Sequence, residues 1–173
     1  PLSWVTRIYI SIMRGTPLML QLMVVFYGPY LIFKHSVTDS YRFPATIIAF
    51  VINYAAYFAE IYRGGIESIE KGQYEASEIL GFTKVQTFVK IIIPQMIKRV
   101  LPSVTNEAIT LVKDTSLAFT IGILEMFTVA KEIANKNTSM LPYVIAAVFY
   151  YIFNYLVAIG MSKIEKKLNY YKI

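Results

Sequence analysis

The sequence predicts an all-α membrane protein, and three observations carry that reading. The apolar residues come in runs as long as a bilayer is thick. The longest, Leu141 to Met161, holds no charged residue in 21 positions, and at about 1.5 Å per residue it reaches roughly 30 Å. Of the 173 residues, 56% are hydrophobic and 16% charged, and the mean hydropathy of +0.51 exceeds what a soluble domain of this size carries on its surface. The basic residues sit in the connections between apolar runs, where they orient a membrane protein. The net charge of +6 is therefore a matter of topology, and nucleic acid is not expected as a partner.

The chain begins at Pro1 without a methionine, and Leu2 to Ser11 reads as the tail of a preceding element. Residues 1–173 are thus expected to be one N-terminally truncated domain. No small-residue cleavage pattern follows the short apolar stretch after Arg7, so no signal peptide is read. Thr16-Pro17 predicts an N-cap followed by proline at the first helical position. The run from Leu18 to Phe33 then forms a first complete span that stops at Lys34. After a short polar loop, Pro44 opens a second span from Ala45 to about Ile61, which Gly64-Gly65 is expected to end.

From Ile66 to Lys90 the chain is too polar to cross a membrane and is expected to lie at its surface. The apolar region Ile91 to Ile123 is broken by Pro94, Pro102, Asn106, Glu107, Lys113 and Asp114. Polar groups at membrane depth survive where they are buried in protein or line a cavity, so this third span should face the inside of a bundle. Glu125 to Ser139 reads as a polar connection, Leu141 to Met161 as the last span, and the basic tail from Ser162 as a segment suited to the membrane surface. Twelve of the 17 Lys and Arg fall on the side of the N-terminus, the middle connection and the tail, against five on the other. That bias places the middle connection and the C-terminus in the cytoplasm.

One motif carries the identification. Glu75-Ala76-Ser77-Glu78-Ile79-Leu80-Gly81 is followed, after nine residues, by Ile91-Ile92-Ile93-Pro94. Local chemistry predicts a helix over Tyr74 to Leu80, a left-handed closing turn at Gly81 and a new helix capped by Thr83. The spacing closely resembles the E-A-A…Gly…Ile-x-Leu-Pro signature of permeases of ATP-binding cassette (ABC) importers, with serine at the second alanine and isoleucine at the leucine. Three further stretches, Arg14 to Leu18, Ala59 to Ile66 and Leu111 to Leu117, resemble the polar amino-acid branch of that family and lie in its order.

The resemblance implies the transmembrane domain of a type I ABC importer in a bacterial cytoplasmic membrane. Four complete or near-complete spans would be present here, with the remnant of a missing first span. It implies a coupling-helix segment at about 66–93 in which Glu75, Ala76, Ser77, Gly81 and Pro94 meet a cytoplasmic ABC ATPase dimer, which would bind the ATP and Mg. It also implies a second permease subunit, identical or closely related, an extracytoplasmic solute-binding protein, and an amino-acid substrate whose identity the shared motifs leave open.

The polar residues of the spans are the candidates for a substrate pathway. Asn53, Tyr57, Glu60 and Gly64 recur on one helical face. Glu60, near the cytoplasmic end, is expected to pair with Arg63 or a neighbouring helix. Asn106, Thr110 and Lys113 share a second face, and Glu107, Thr110 and Asp114 an adjoining one. Lys113 and Asp114 must diverge and find different partners, holding the bundle together or lining a cavity for a zwitterion. An ion-gradient-driven transporter or channel is the alternative, with Glu107, Lys113 and Asp114 as relay groups.

No phosphate-binding loop, H-E-x-x-H, nucleophile elbow or cysteine is present. Catalysis, a metal site and a cofactor on this chain are therefore not expected. His35, the single histidine, reads as a solvated loop residue.

Overall fold

In a computed structural model, residues 2–34 and 38–168 are described, and they fold into helices alone. His35 lies outside them. The helices are α1 (Leu2–Gly15), α2 (Leu18–Phe33), α3 (Arg42–Glu67), α4 (Lys71–Ile79), α5 (Lys84–Thr87), α6 (Ile93–Asp114), α7 (Met126–Asn137) and α8 (Leu141–Leu168). Tight 3-10 turns at Asp39–Tyr41 and Thr115–Ile121 and a π turn at Phe88–Ile92 join them.

α1 and α2 meet at 109°, so α1 runs nearly across α2 and packs chiefly on α3. Pro17 is itself the N-cap of α2, with φ −63° and ψ 134°, one residue from the position expected. Thr16 turns back instead, donating its hydroxyl to Ile12 O at 2.8 Å. α2 ends at Lys34, whose φ is 53° and whose N–H donates to Tyr30 O. Inside α2, Pro29 supplies no N–H to Val25 O, and Tyr41 Oη takes over that acceptor at 3.3 Å. Leu22 and Phe26 press onto Ala45, Ala49 and Ile121, forming the core beneath the α2–α3 contact. The two alanines let the helix axes approach closely.

Three sequence expectations need correcting. α3 does not stop at Gly64-Gly65 but continues to Glu67. Gly65 is buried against α6, where a Cβ would overlap Val100 Cγ1 and lie 3.1 Å from Met96 Cγ. The glycine permits helix crossing rather than ending a helix. The polar connection Glu125 to Ser139 is largely α7, a 12-residue helix packed on α8 through Ala130 and Ala134. The tail does not separate at Ser162, because α8 runs unbroken to Leu168. Pro94, expected as a break, sits at the start of α6 after a π turn.

Of the expected spans, the stretch Asp39–Glu67 and α8 are long and apolar enough to cross a membrane. α2 has 16 residues, about 24 Å. α6 has 22, about 33 Å, and carries five charged residues. α2 packs along α3, and α6 packs between α3 and α8, so each of the two less conventional spans lies against at least one ordinary one.

Candidate functional site

Between α3 and α6 the chain builds a helix, a left-handed turn and a second helix. Gly81 has φ +76°. Its N–H donates to Glu78 O at 2.9 Å and that of Phe82 to Ser77 O at 3.0 Å, the paired bonds of a Schellman closure. Thr83 then opens α5 with a capping box. Its Oγ1 accepts from Gln86 N at 3.3 Å, and its own N–H donates to Gln86 Oε1 at 2.9 Å.

α4 and α5 are tied together by Thr87 Oγ1, which donates to Ser77 Oγ at 2.9 Å. Ser77 in turn donates to Tyr74 O at 2.7 Å. The serine that replaces the motif's second alanine thus provides an acceptor that alanine lacks. Glu75 and Ala76 lie exposed on α4, and Pro94 is exposed at the head of α6. Ile79, Leu80 and Val85 are 86%, 73% and 72% exposed, an apolar patch on an otherwise charged segment.

One further bond fastens the helix pair to α6, and another ties α6 to the end of α3. Gln95 Nε2 donates to Gln73 Oε1 at 3.1 Å, and the Arg99 guanidinium donates to Ser68 O. The π turn lies in the same junction, with Ile93 N–H donating to Phe88 O.

The face carrying Asn53, Tyr57 and Glu60 turns toward the end of α1. Asn53 is 4% exposed. Its Nδ2 donates to Met13 O at 3.3 Å and to Gln21 Oε1 at 2.9 Å. Gln21 Nε2 donates to Met13 O at 2.9 Å and to Thr16 O at 3.1 Å. Together they satisfy Met13 O in the last turn of α1 and Thr16 O just beyond it. Asn53 is therefore a helix cap here, and its burial takes it off any cavity wall.

Beside it, Arg14 lies 5.6 Å from the Tyr57 ring centroid and 3.6 Å from Glu60 Oε1. Glu60 also pairs with Arg63, which reaches Glu67 at 2.8 Å. Gly64, on the same face, is exposed with open space around it. Gln21, missed as a site residue, had a signal in the sequence: it is the single amide in the apolar run of α2.

On α6, Lys113 and Asp114 diverge. Asp114 Oδ2 accepts from Tyr54 Oη of α3 at 2.8 Å, while Lys113 borders a groove against α8. Glu107 and Thr110 are half-buried and Asn106 is exposed. The two signs of charge are therefore separated. They leave the helix in different directions, one into the α3 contact and one toward α8.

Comparison with known proteins fits this arrangement. The L-cystine transport system permease protein TcyB of Bacillus subtilis (strain 168) is 40% identical over 173 residues, covering 99% of this chain and 72% of that protein. The putative glutamine transport system permease protein GlnP of Rickettsia bellii (strain RML369-C) is 39% identical over 163 residues, covering 92% and 72%. A crystal structure of an amino acid ABC transporter with histidines superposes with a TM-score of 0.85 at 33% identity, over 96% of this chain and 77% of that one. That likeness establishes the transmembrane fold of a type I ABC importer. Residues 1–170 match the family described as binding-protein-dependent transport system inner membrane component, and the chain belongs to that family, as a membrane-spanning permease subunit of an ABC importer.

Proposed function

We propose that this subunit joins a second permease subunit to form the membrane passage of an importer for polar amino acids. A dimer of cytoplasmic ABC ATPases binds ATP and Mg and docks on the α4–α5 pair. An extracytoplasmic solute-binding protein delivers the amino acid to the opposite face. The middle connection and the C-terminus of α8 lie in the cytoplasm, as the distribution of Lys and Arg indicates.

The observation that carries the docking reading is the exposed patch of Ile79, Leu80 and Val85, presented by two short helices that capping and a buried hydroxyl pair hold in one geometry. A patch of this kind on a charged segment suits a protein partner. Glu75, Ala76, Gly81 and Pro94 contribute by shaping that segment. The amino-acid class is supported by the relatives, which are named for L-cystine and glutamine. Within the bundle, Tyr57, Glu60, Asn106, Glu107, Thr110, Lys113 and Asp114 remain proposed contributors to the passage.

Co-purification of the permease with its ATPase, followed by uptake assays in proteoliposomes, tests both halves. Leu80→Asp should strip the ATPase from the complex and abolish ATP-driven uptake. Uptake that persists without ATP and follows an ion gradient would instead favour a self-sufficient transporter.

A further inference from the structure

The chain enters α6 through an irregular turn. Across Phe88–Ile92 it closes on the fifth residue instead of the fourth, with the Ile93 N–H donating to Phe88 O, so the turn encloses one residue more than an α turn. Pro94 follows directly. In a continuous α-helix its ring would press on Lys90 O, four residues back, and it has no N–H to offer that carbonyl. Widening the turn ahead of it gives the ring room.

The wider turn also decides what is buried. Thr87 and Ile92 are 6% and 0% exposed. On a regular α-helix residues five apart point about 140° away from each other, whereas a turn closed on the fifth residue brings them nearly into line. Val89, between them, is 53% exposed and takes the outer side.

The turn is clamped from α4. The side-chain amide of Gln95 donates to Ile91 O, inside the junction, at 3.1 Å and to Gln73 Oε1 of α4 at 3.1 Å. Beyond the junction α6 is fixed to α3 by the close crossing at Gly65 and by the bond from Arg99 to Ser68 O. The pose of the α4–α5 pair on the bundle is therefore set between Phe88 and Gln95.

We infer that Pro94 is a positioning residue for energy coupling: by holding the π turn it sets the rotational register of the α4–α5 pair on α6. Relaxing the turn to α would rotate α5 against α6 by roughly 100° and shift it by about 1.5 Å along the axis. That movement takes Leu80 and Val85 away from the place where they meet the ATPase. The inference rests on the reading of α4–α5 as the docking pair.

The test uses the assembled permease and ATPase complex in proteoliposomes with the solute-binding protein. ATP-driven uptake by the unaltered complex, and cross-linking of Val85→Cys to the ATPase, are measured first. If either is absent, the docking reading fails on its own. Three variants then separate register from stability: Pro94→Ala, deletion of Val89, and the two combined.

Pro94→Ala should relax the turn and lose most of the uptake per ATP hydrolysed. Deletion of Val89 alone should lose it too, because Pro94 is then forced into an α turn. In the combination the deletion removes the residue that the relaxed turn carries in excess, so uptake should return to near the unaltered level, the opposite of additive losses. Where a single variant does not assemble, the combination should restore assembly as well. Spin labels on Lys71→Cys and Ile97→Cys, exposed on α4 and α6, should change their separation in Pro94→Ala and regain it in the combination. A combined variant no better than the singles would overturn the assignment. So would a Pro94→Ala complex that transports normally, or one whose label separation is unchanged.

Discussion

Thr87 donates its hydroxyl to Ser77 across 2.9 Å, ten residues back along the chain, and both side chains are buried between α4 and α5. The bond is directional: Ser77 spends its own proton on Tyr74 O and is left to accept. Removing either partner therefore has a different consequence.

Ser77→Ala strands the buried Thr87 hydroxyl and should cost about 1–3 kcal/mol. Thr87→Val should cost less, because Ser77 keeps its bond to Tyr74. The double variant should cost less than the two singles added. Thermal melting of the detergent-solubilised complex measures all three, and simple additivity would mean that the hydroxyls act independently.

Adjacent glycines on α3 should respond in opposite ways. Gly64 has open space around it, so Gly64→Ala should be neutral or stabilise the helix by up to about 1 kcal/mol. Gly65→Ala drives a methyl into Val100 and should cost about 1–3 kcal/mol as α3 and α6 are forced apart. The same melting experiment compares the two.

At Gly81 the strain is in the backbone alone. Nothing lies within 4 Å of a Cβ there, but φ is +76°, and a Cβ in that region costs about 1–2 kcal/mol. Gly81→Ala should loosen the turn and weaken retention of the ATPase in a pull-down. Gly81→Asn, which tolerates left-handed backbone, should restore most of it. Gly81→Asp adds a negative charge to the same turn and should weaken retention further.

The proposed orientation can be read with single cysteines, since the chain has none of its own. In intact cells an impermeant thiol reagent should label Ser40→Cys and leave Val85→Cys untouched. Val85 is the suitable reporter, being 72% exposed. Thr87, buried against Ser77, would be silent from either side. The reverse pattern would invert the topology.

What could be read in advance was whatever depends on local chemistry. Gly81 and Thr83 announced a turn and a cap because a left-handed residue and a capping hydroxyl act on backbone a few residues away. The stop at Lys34 was legible for the same reason. Gly65 was misread because a glycine needed for a helix crossing looks the same in sequence as one that ends a helix; only Val100, 35 positions away, tells them apart. Asn53 was placed on a cavity wall because its helical face is polar, yet the groups it serves, Met13 O and Gln21 Oε1, belong to other helices. α7 went unseen because its mean composition is polar and only two alanines mark its packed side.

The unbroken length of α8 has a mechanical consequence. Its 28 residues make a rod of about 42 Å, some 12 Å longer than the hydrocarbon layer. The excess is concentrated at one end, which bears Lys163, Lys166 and Lys167 and is held at the headgroups. With no joint at Ser162 to absorb a mismatch, a thinner bilayer has to tilt the whole rod, and Tyr143, Tyr150 and Asn154 tilt with it. Lipid thickness thereby becomes a mechanical input to the wall that α8 presents to α6.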